Sequence, residues 1–467
     1  METDLTHPSG ERYRRLSLWW DGLRGPIPVR PALDGDLDVD VAVVGGGLTG
    51  LWTAYYLSES DPDLTIAVLE RDVAGFGASG RNGGWCSALF SVSEGTLDHR
   101  CGPGSGRMQR LAMQATVREV GRVVAAEGID CGFHQGGTVV LARTPAQLAR
   151  ARAEVTGARS RGVGDDDLHL LDPDGARDLV GATDVLGGTF TPHCAAVDPA
   201  RLVRGLAEVV ERRGVRILEQ TEVTAIAPGS VTTARGTVRA RTVVRATEGY
   251  TRTLSGQARA VIPVYSLMIA TEPLPDAFWS EHGVADRQTF ADFRHLVIYG
   301  QRTEDGRMAF GGRGAPYHFG STIRPEYDRD DGVHEALRRT LVDLFPALSD
   351  AAVTHRWGGP LGITRDWWSS VGMDPATRMA WAGGYVGDGL STTNLAGRTL
   401  RDLVIGDATE LTGLPWVNHR SRRWEPEPLR FVGINAGLRL AGTADRAEAR
   451  KGRETWHARA LGRLVGG

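Results

Sequence analysis

The stretch from Asp40 to Glu70 decides the fold. It reads Asp40-Val-Ala-Val-Val44, Gly45-Gly-Gly-Leu-Thr-Gly50, Leu51-Trp-Thr-Ala-Tyr-Tyr-Leu57 and, after a polar turn, Leu64-Thr-Ile-Ala-Val-Leu-Glu70. The first and last of these segments are short apolar runs of the kind that form buried parallel strands. The apolar segment between them reads as a helix, so the stretch predicts a complete βαβ unit.

Within this unit the glycines follow the spacing Gly45-x-Gly47-x-x-Gly50, directly after a strand and at the start of a helix. Gly45 permits the tight turn, Gly47 lets the backbone approach a pyrophosphate at the positive end of the helix, and Gly50 allows close helix–strand packing. Glu70 ends the second strand, where a carboxylate can accept hydrogen bonds from ribose hydroxyls and would repel the 2′-phosphate of NADP. The unit therefore predicts a dinucleotide site that disfavours NADP.

Length and charge restrict the remaining possibilities. The chain has 467 residues and a formal net charge of −3, so no nucleic-acid partner is expected. Of its 54 basic residues only Lys451 is a lysine, and arginine cannot act as a nucleophilic amine. This imbalance, and the lack of a Gly-Lys-Ser/Thr loop, argue against pyridoxal enzymes, lysine aldolases and P-loop ATPases.

Cysteine usage and hydropathy indicate a cytoplasmic protein without a metal centre. The 4 cysteines include no Cys-x-x-Cys pair, and no two histidines lie within four residues of each other, so no compact zinc site is expected. The N-terminal residues contain no apolar signal core, and the chain has no apolar run of about 18 residues. We therefore expect a cytoplasmic protein with no metal ion and no membrane association.

The segment after the βαβ unit carries a resemblance to a known family. It reads Gly77-Ala-Ser-Gly-Arg-Asn-Gly-Gly-Trp85 and resembles the second flavin fingerprint of the D-amino-acid-oxidase superfamily of FAD-dependent oxidoreductases, in particular its glycine oxidase-like and γ-glutamylputrescine oxidase-like branch. Later segments resemble further motifs of that superfamily: His193–Arg213, Val223, Ala246–Tyr250, Trp357-Gly-Gly, Thr364-Arg-Asp366 and the last flavin loop Gly383–Gly389. The resemblance covers residues from about 38 to 405.

The resemblance implies FAD held without a covalent bond. Pro360-Leu361 stands near Trp357, where the sarcosine-oxidase branch has its flavin-linked cysteine, and the Ser79–Trp85 loop contains no histidine. The glycine pattern and the resemblance together assign the following residues to the cofactor: Gly45, Gly47, Leu48, Thr49, Gly50, Glu70, Arg71, Ala78, Ser79, Arg81, Asn82, Gly83, Gly84, Trp85, Val223, Ala246, Thr247, Gly384, Gly387, Gly389, Leu390 and Ser391.

The expected fold class combines α/β and α+β architecture. The resemblance implies a Rossmann-type FAD-binding domain of the glutathione-reductase-like kind and a second, substrate domain built on a mixed, largely antiparallel sheet. The expected divisions are an N-terminal arm (1–38), a discontinuous FAD-binding domain (39–95, 185–255 and 375–412), a substrate domain (96–184 and 256–374) and a basic C-terminal helical extension (413–467).

The resemblance also implies oxidation of a C–N bond of an amine or amino-acid-like small molecule. A hydride would pass to flavin N5, the resulting imine would hydrolyse, and oxygen or another acceptor would reoxidise FAD. α-Amino-acid oxidases of this family often place an arginine shortly after Trp-x-Gly to bind the substrate carboxylate, and Leu361 stands at that position. We therefore expect an amine with a different recognition group, and Arg81, Arg302 or Arg365 as the partner of any anionic group.

Three residues are candidates for catalytic roles in the substrate cavity. Alternation along His295-Leu-Val-Ile-Tyr-Gly-Gln301 predicts a strand with His295 and Tyr299 on one face. That strand, with Tyr265, resembles the sheet that roofs the flavin in the family. Some relatives use a lysine near the flavin for the reaction with oxygen, but Lys451 lies outside the region of resemblance.

Two other functions remain open at this point. One is a flavin monooxygenase that uses NAD(P)H, although such enzymes commonly need an extra nucleotide site or a Gly-Asp motif before the final helix. The other is a flavin dehydrogenase coupled to a membrane or a partner through the basic residues 421–467, where a helix is predicted from about Pro428 to Lys451. The alternative for that helix is packing on its own domain. The sequence does not indicate the oligomeric state.

Overall fold

The structure is a computed structural model that describes residues 10–453 together with residues 455, 456 and 458, and of Arg313 only the backbone. Residues 1–9 of the expected arm and the end of the expected C-terminal extension lie outside the described residues. The helices are α1 (Leu18–Asp21), α2 (Leu48–Ser60), α3 (Glu94–Cys101), α4 (Ser105–Ala126), α5 (Pro145–Ser160), α6 (Pro173–Leu179), α7 (Pro199–Arg212), α8 (Asp276–His282), α9 (Asp331–Leu344), α10 (Gly389–Ile405) and α11 (Leu429–Lys451).

The strands belong to two large sheets and one short pair. They are β1 (Leu37–Val44), β2 (Ile66–Leu69), β3 (Trp85–Ser87), β4 (Thr138–Ala142), β5 (His169–Leu171), β6 (Gly187–Thr191), β7 (Cys194–Ala196), β8 (Arg216–Leu218), β9 (Val223–Ala227), β10 (Ser230–Thr233), β11 (Gly236–Arg245), β12 (Ile262–Thr271), β13 (Thr289–Asp292), β14 (Ile298–Arg302), β15 (Met308–Arg313), β16 (Val353–Ile363), β17 (Ser370–Asp374) and β18 (Met379–Gly383).

The first large sheet is built around the predicted βαβ unit, β1–α2–β2. Its strands run in the order β17-β18-β11-β1-β2-β8, and β1 pairs in parallel with both β2 and β11. The last four residues of β1 and all of β2 are buried, as expected for central parallel strands covered on both faces. Helix α2 packs against α10 so closely that a Cβ atom at Gly397 would lie 2.7 Å from the backbone of Trp52.

The second large sheet has the order β16-β12-β15-β14-β13-β4-β6-β5 and is antiparallel except where β13 runs parallel to β4. Two expected domain boundaries differ from this topology. Strand β6 pairs with β4 and β5 in the second sheet, although 185–255 was assigned to the FAD-binding domain. Strand β17 pairs with β18 in the first sheet, although 256–374 was assigned to the substrate domain. Each of these strands pairs with a strand next to it in sequence, so it belongs to the sheet of that neighbour.

The C-terminal helix α11 spans the residues predicted for it and is held on the second sheet's side of the molecule. Glu448 forms an ion pair with Arg150 of α5 at 2.9 Å, and Asp445 accepts hydrogen bonds from the backbone N–H groups of His295 and Leu296. The helix therefore packs on its own chain. None of the described helices is long and apolar enough to cross a membrane.

The N-terminal arm is anchored by a buried charge cluster. The carboxylate of Glu219, fully buried, accepts hydrogen bonds from the guanidinium and backbone N–H of Arg30 and from Arg204 of α7, at 2.7–3.2 Å. Arg30 also pairs with Glu211, whose side chain is 38% exposed. Two buried arginines thus share the carboxylate of Glu219, and this cluster ties the arm to the first sheet.

Glu219→Gln should destabilise the protein by about 3–5 kcal/mol, because removal of a buried charge leaves its ionic partners uncompensated. Glu211→Gln, which removes the half-exposed partner of the same Arg30, should cost about 1 kcal/mol or less. Chemical denaturation of both variants measures the difference. Equal losses would show that the buried carboxylate is not the anchor of the arm.

Candidate functional site

A single cavity of about 800 Å³ runs from the β1–α2 turn to the face of the second sheet. Most of the residues expected to bind the cofactor line it. Those that do not are Gly50, Gly84, Gly384 and Ser391. These four lie behind the cavity wall. Gly50 and Gly84 sit against neighbouring backbone, Gly384 sits against the side chain of Thr364, and Ser391 donates a hydrogen bond to the carbonyl oxygen of Ser87.

The turn between β1 and α2 forms a cradle that side chains would fill. Gly45 has φ +114, and a Cβ atom there would lie 2.5 Å from the carbonyl oxygen of Ala246. A Cβ atom at Gly47 would lie 2.8 Å from the hydroxyl of Ser79, and one at Gly50 would collide with the carbonyl oxygen of Gly45. The first turn of α2 follows at once, with backbone N–H groups that have no acceptor within the helix. The site therefore fits a pyrophosphate approaching this helix end.

Glu70 lies at the end of β2 beside this cradle. Its carboxylate accepts hydrogen bonds from the backbone N–H of Gly46 at 2.8 Å and of Asp72 at 2.9 Å. Burial raises its pKa to about 7, against the opposing effect of these two donors. The side chain lines the cavity and keeps unused lone pairs, so it can accept hydrogen bonds from ribose hydroxyls.

The loop 77–85 is shaped by its own polar side chains. The hydroxyl of Ser79 accepts a hydrogen bond from the backbone N–H of Leu48, which joins the loop to the start of α2. The amide of Asn82 donates to the carbonyl oxygens of Ala78 and Ser79 and accepts from the N–H of Gly84. Ser79 and Asn82 therefore fix the backbone that faces the cavity.

Arg81, in the same loop, is buried and compensated. Its guanidinium lies 2.6 Å from the carboxylate of Asp328 and donates to the hydroxyl of Tyr250 at 3.1 Å and the carbonyl oxygen of Gly358 at 3.2 Å. Arg71 instead lies over the ring of Tyr250, 5.0 Å from its centroid. Arg81 thus joins the loop to β16 and brings a positive charge to the cavity wall.

Sequence reasoning missed Glu248 as a positioning residue. Its partly buried carboxylate accepts hydrogen bonds from the backbone N–H of Gly362 at 2.6 Å and of Tyr385 at 3.2 Å. It therefore holds β16 and the loop before α10 against the turn that follows β11. The only signal in the sequence was its place inside the Ala246–Tyr250 segment.

The two tyrosines chosen from the sequence lie on different faces of the second sheet. Tyr299 lines the cavity, with its hydroxyl 2.8 Å from that of Ser266, and its ring meets Trp85 edge-on. Tyr265 points to the other face, where it packs against Tyr327 and accepts a hydrogen bond from the N–H of Arg324. Because side chains alternate along β12, the cavity residue of this strand is Ser266, and the expectation for Tyr265 needs this correction.

His295 is also placed differently from the prediction. Strand β14 begins at Ile298, so the alternation inferred from His295 to Gln301 does not extend back to the histidine. His295 lies in the preceding bend, where its Nε2 is 3.1 Å from Glu448 and 3.4 Å from Arg150, and it does not line the cavity. Although His295, Asp445 and Glu448 are close enough together to hold a metal ion, the nearby guanidinium and two backbone donors already supply partners to these groups.

Of the three arginines proposed to bind an anionic substrate group, only Arg81 lines the cavity. Arg302 lies over the ring of Trp279, and Arg365 pairs with Glu425 at 2.9 Å, both away from the cavity. Arg81 lines the cavity but is paired with Asp328. Leu361 does line it, next to Pro360. The cavity also extends to Arg110 of α4 and to α5, which no sequence motif indicated.

The chain is similar to several known proteins. The model of the DAO family, described as FAD dependent oxidoreductase, matches residues 40–403. Gamma-glutamylputrescine oxidoreductase of Escherichia coli strain K12 is 30% identical over 383 residues, which cover 80% of this chain and 86% of that protein. Sarcosine oxidase subunit beta of an Arthrobacter species is 25% identical, with 81% and 89% covered. The crystal structure of glycine oxidase from Geobacillus kaustophilus matches with a TM-score of 0.69 and 22% identity, and covers 82% of this chain and 99% of that chain.

Glu70→Ala should weaken FAD retention by about ten- to a hundredfold without changing the flavin spectrum. The change removes hydrogen bonds to a charged acceptor, each contributing about 1.5–3 kcal/mol, at the ribose and not at the isoalloxazine ring. Equilibrium dialysis gives the retention and absorbance gives the spectrum. A changed spectrum with normal retention would show that Glu70 does not contact the ribose.

FAD affinity should also depend on pH through Glu70. Its pKa of about 7 means that the carboxyl is protonated below that pH, whereas ribose hydroxyls donate best to the ionised form. Binding then requires loss of a proton, so affinity should fall by up to about tenfold per pH unit below pH 7 and stay level above it. Titration of the apoprotein measures this profile, and Glu70→Gln should flatten it. An unchanged profile in that variant would contradict the assignment.

Proposed function

The chain belongs to the DAO family of FAD-dependent oxidoreductases, and we propose that it oxidises a C–N bond of a small amine. Relatives named for their reactions act on amines and amino acids. The observation that carries the proposal is the continuity of one cavity. It joins the nucleotide cradle at Gly45 and Gly47 to a substrate-sized space beside Tyr299 and Leu361. A cofactor bound in the cradle would therefore present its reactive end to a molecule on the second sheet.

The residues of the cradle fit FAD, and we propose that they hold it without a covalent bond. The first sheet would serve as a Rossmann-type domain of the glutathione-reductase-like kind, with the start of α2 at the pyrophosphate, Glu70 at the ribose and Val223 at the adenine end. None of the described residues that line the cavity is a cysteine, and Cys86 is buried outside it. When bound, FAD would accept a hydride from the carbon beside the amine nitrogen, and oxygen or another acceptor would then reoxidise the reduced FAD.

The chain itself supplies binding, orientation and electrostatics. The N-terminal turn of α10 reaches the cavity at Gly389 and Leu390, and its unpaired amides carry partial positive charge. Such amides stabilise a group that gains negative charge during the reaction. Tyr299, Trp85 and Leu361 surround the neighbouring space with largely apolar surface, which favours a neutral amine over its ammonium form and keeps water from the reacting atoms.

Leu361 supports a substrate other than a simple α-amino acid. The leucine lines the cavity at the position where the resemblance implies a carboxylate-binding arginine in α-amino-acid oxidases. Arg81, the one of the three candidate arginines that lines the cavity, is paired with Asp328. A primary or secondary amine whose polar group is more distant from the nitrogen fits this wall. The NAD(P)H-dependent monooxygenase is less well supported, because the relatives are amine and amino-acid oxidoreductases.

The identity of the electron acceptor is part of the proposal and is directly testable. The purified protein should be yellow, should release its FAD on treatment with acid, and should oxidise amines when peroxide release and dye reduction are followed side by side. Flavin that remains with the denatured polypeptide would contradict the non-covalent site. A protein that reduces neither acceptor with any amine, but consumes NADH, would contradict the proposed reaction.

Glycine, sarcosine and D-alanine should be poor substrates. Without a charge-assisted pair to the carboxylate, about 1.5–3 kcal/mol is lost for each ion-bonded contact, which corresponds to roughly a ten- to hundredfold lower kcat/KM than for an amine with a more distant polar group. Steady-state kinetics on matched amines tests this. Efficient turnover of glycine with sub-millimolar half-saturation would show that another residue replaces the missing arginine.

A further inference from the structure

Helix α4 carries a polar residue on its buried face, at the point where that face reaches the cavity. The buried residues of this face recur at intervals of three and four, the spacing of one side of a helix: Gly106, Gln109, Met113, Val117 and Val120. The last three belong to the hydrophobic core. Gln109, one turn before Met113, lines the cavity instead and is only 1% exposed. The helix therefore places a buried carboxamide at the cavity wall.

The carboxamide of Gln109 has no protein partner. Among the residues that the structure describes, none donates to its Oε1 or accepts from its Nε2. Most buried polar side chains in proteins are hydrogen-bonded, because an unpaired polar group in an apolar environment costs free energy. The same cavity wall includes Val92 and Leu97, whose side chains form no hydrogen bonds. Both ends of the Gln109 carboxamide are therefore available to a molecule bound in the cavity.

Two other polar side chains of α4 that line the cavity differ from Gln109 in this respect. Arg110, the next residue, lies 3.2 Å from Glu94, and Gln114 donates to Asp167 at 3.4 Å. Arg110 and Gln114 thus have partners within the protein. Of these three neighbours on one helix, Gln109 is the one whose hydrogen-bonding groups are not used to hold the fold.

Strand β3 links the helix of Gln109 to the reacting site beside Tyr299. The strand packs on α4, and Trp85 at its start meets Tyr299 edge-on, with ring centroids 6.1 Å apart. Helix α3 also packs on the start of α4, where a Cβ atom at Gly106 would lie 2.5 Å from the carbonyl oxygen of Glu94. The first turns of α4 are therefore fixed between α3 and β3, and Gln109 with them.

We propose that Gln109 binds a carboxamide group of the amine substrate, and so selects amines that carry a carboxamide at the far end of the molecule. A glutamine side chain offers an acceptor oxygen and N–H donors on one planar group. A primary carboxamide presents the complementary C=O and N–H on one edge and can satisfy both. A carboxylate would leave Oε1 unpaired, an ammonium group would leave Nε2 unpaired, and a hydrocarbon would leave both unpaired. This inference rests on the proposed function, because the amine end must reach the reacting site beside Tyr299.

Amino carboxamides of increasing length test this selection: 4-aminobutanamide, 6-aminohexanamide and 8-aminooctanamide. At each length, comparison compounds replace the carboxamide by a methyl group, a carboxylate or a second amine. Anaerobic flavin reduction at varied concentration in the FAD-loaded protein yields half-saturation and the limiting rate separately. At the length that spans from the reacting site to Gln109, the carboxamide should half-saturate at a concentration at least about tenfold lower than each comparison compound.

Gln109→Met removes both hydrogen-bonding ends and keeps an unbranched side chain. It should raise half-saturation for the preferred carboxamide about ten- to a hundredfold, and leave the alkylamine and both limiting rates within about twofold. Because Gln109 forms no hydrogen bond with the described protein, the change should leave the thermal midpoint unchanged or raise it, whereas loss of a structural residue would lower it. Gln135→Met, at an exposed position outside the cavity, is the matched control and should change neither half-saturation.

Other outcomes would overturn the inference. Equal half-saturation for the carboxamide and the alkylamine at every length, or no effect of Gln109→Met on the carboxamide, would mean that Gln109 does not bind substrate. A preference for the carboxylate or for the diamine would assign the far end of the substrate to a charged partner. A changed flavin spectrum or weaker FAD retention in unliganded Gln109→Met would assign the residue to the cofactor.

Failure of the proposed function gives a different result. If no probe reduces the flavin, binding is followed by the perturbed flavin absorbance. Carboxamide binding that Gln109→Met weakens would then retain the site and reject amine oxidation. Equal binding of all probes, or no binding at all, would reject the carboxamide site.

Discussion

The close approach of Gly50 to the carbonyl oxygen of Gly45 is the constraint on which the nucleotide-binding half depends. It allows α2 to start immediately after β1 and to lie against the sheet, because no Cβ atom separates them. The same tight turn brings the N–H of Gly46 to Glu70 and the N–H of Leu48 to Ser79. Strand β2 and the loop 77–85 are thereby fixed around one helix end, and the cavity for the cofactor opens at that point.

Other walls of the cavity depend on charged side chains rather than on a backbone turn. Glu248 holds β16 and the loop before α10 with one carboxylate. Arg81 joins the loop 77–85 to Asp328 and to the carbonyl oxygen of Gly358 in β16. Each of these contacts links segments that are more than a hundred residues apart in sequence. Since an unpaired buried charge is strongly unfavourable, such pairs specify which segments meet and in what register.

The difference between local turns and contacts of distant segments explains how much could be predicted from the sequence. Local periodicity and residue spacing predicted the βαβ unit, the glycine cradle and the helix from Leu429. Tyr265 and His295 were placed incorrectly for two different reasons. Tyr265 was chosen because its strand resembles the sheet that roofs the flavin in the family, and that resemblance does not tell which face of the strand meets the cavity. The cavity face of this strand carries Ser266 instead. The alternation assumed that the strand reached His295, whereas β14 begins at Ile298. Glu248 acts through partners that are distant in sequence, for which no local pattern exists.

Because nearly all basic residues of this chain are arginines, the buried basic residues are paired with carboxylates. Lysine can enter a low-dielectric site by losing its proton, whereas arginine remains charged and needs a carboxylate beside it. Arg81 accordingly has Asp328, and Arg30 and Arg204 share Glu219. The Arg81–Asp328 and Arg30–Glu219 pairs each join segments more than a hundred residues apart, so these buried arginines help to specify which segments meet.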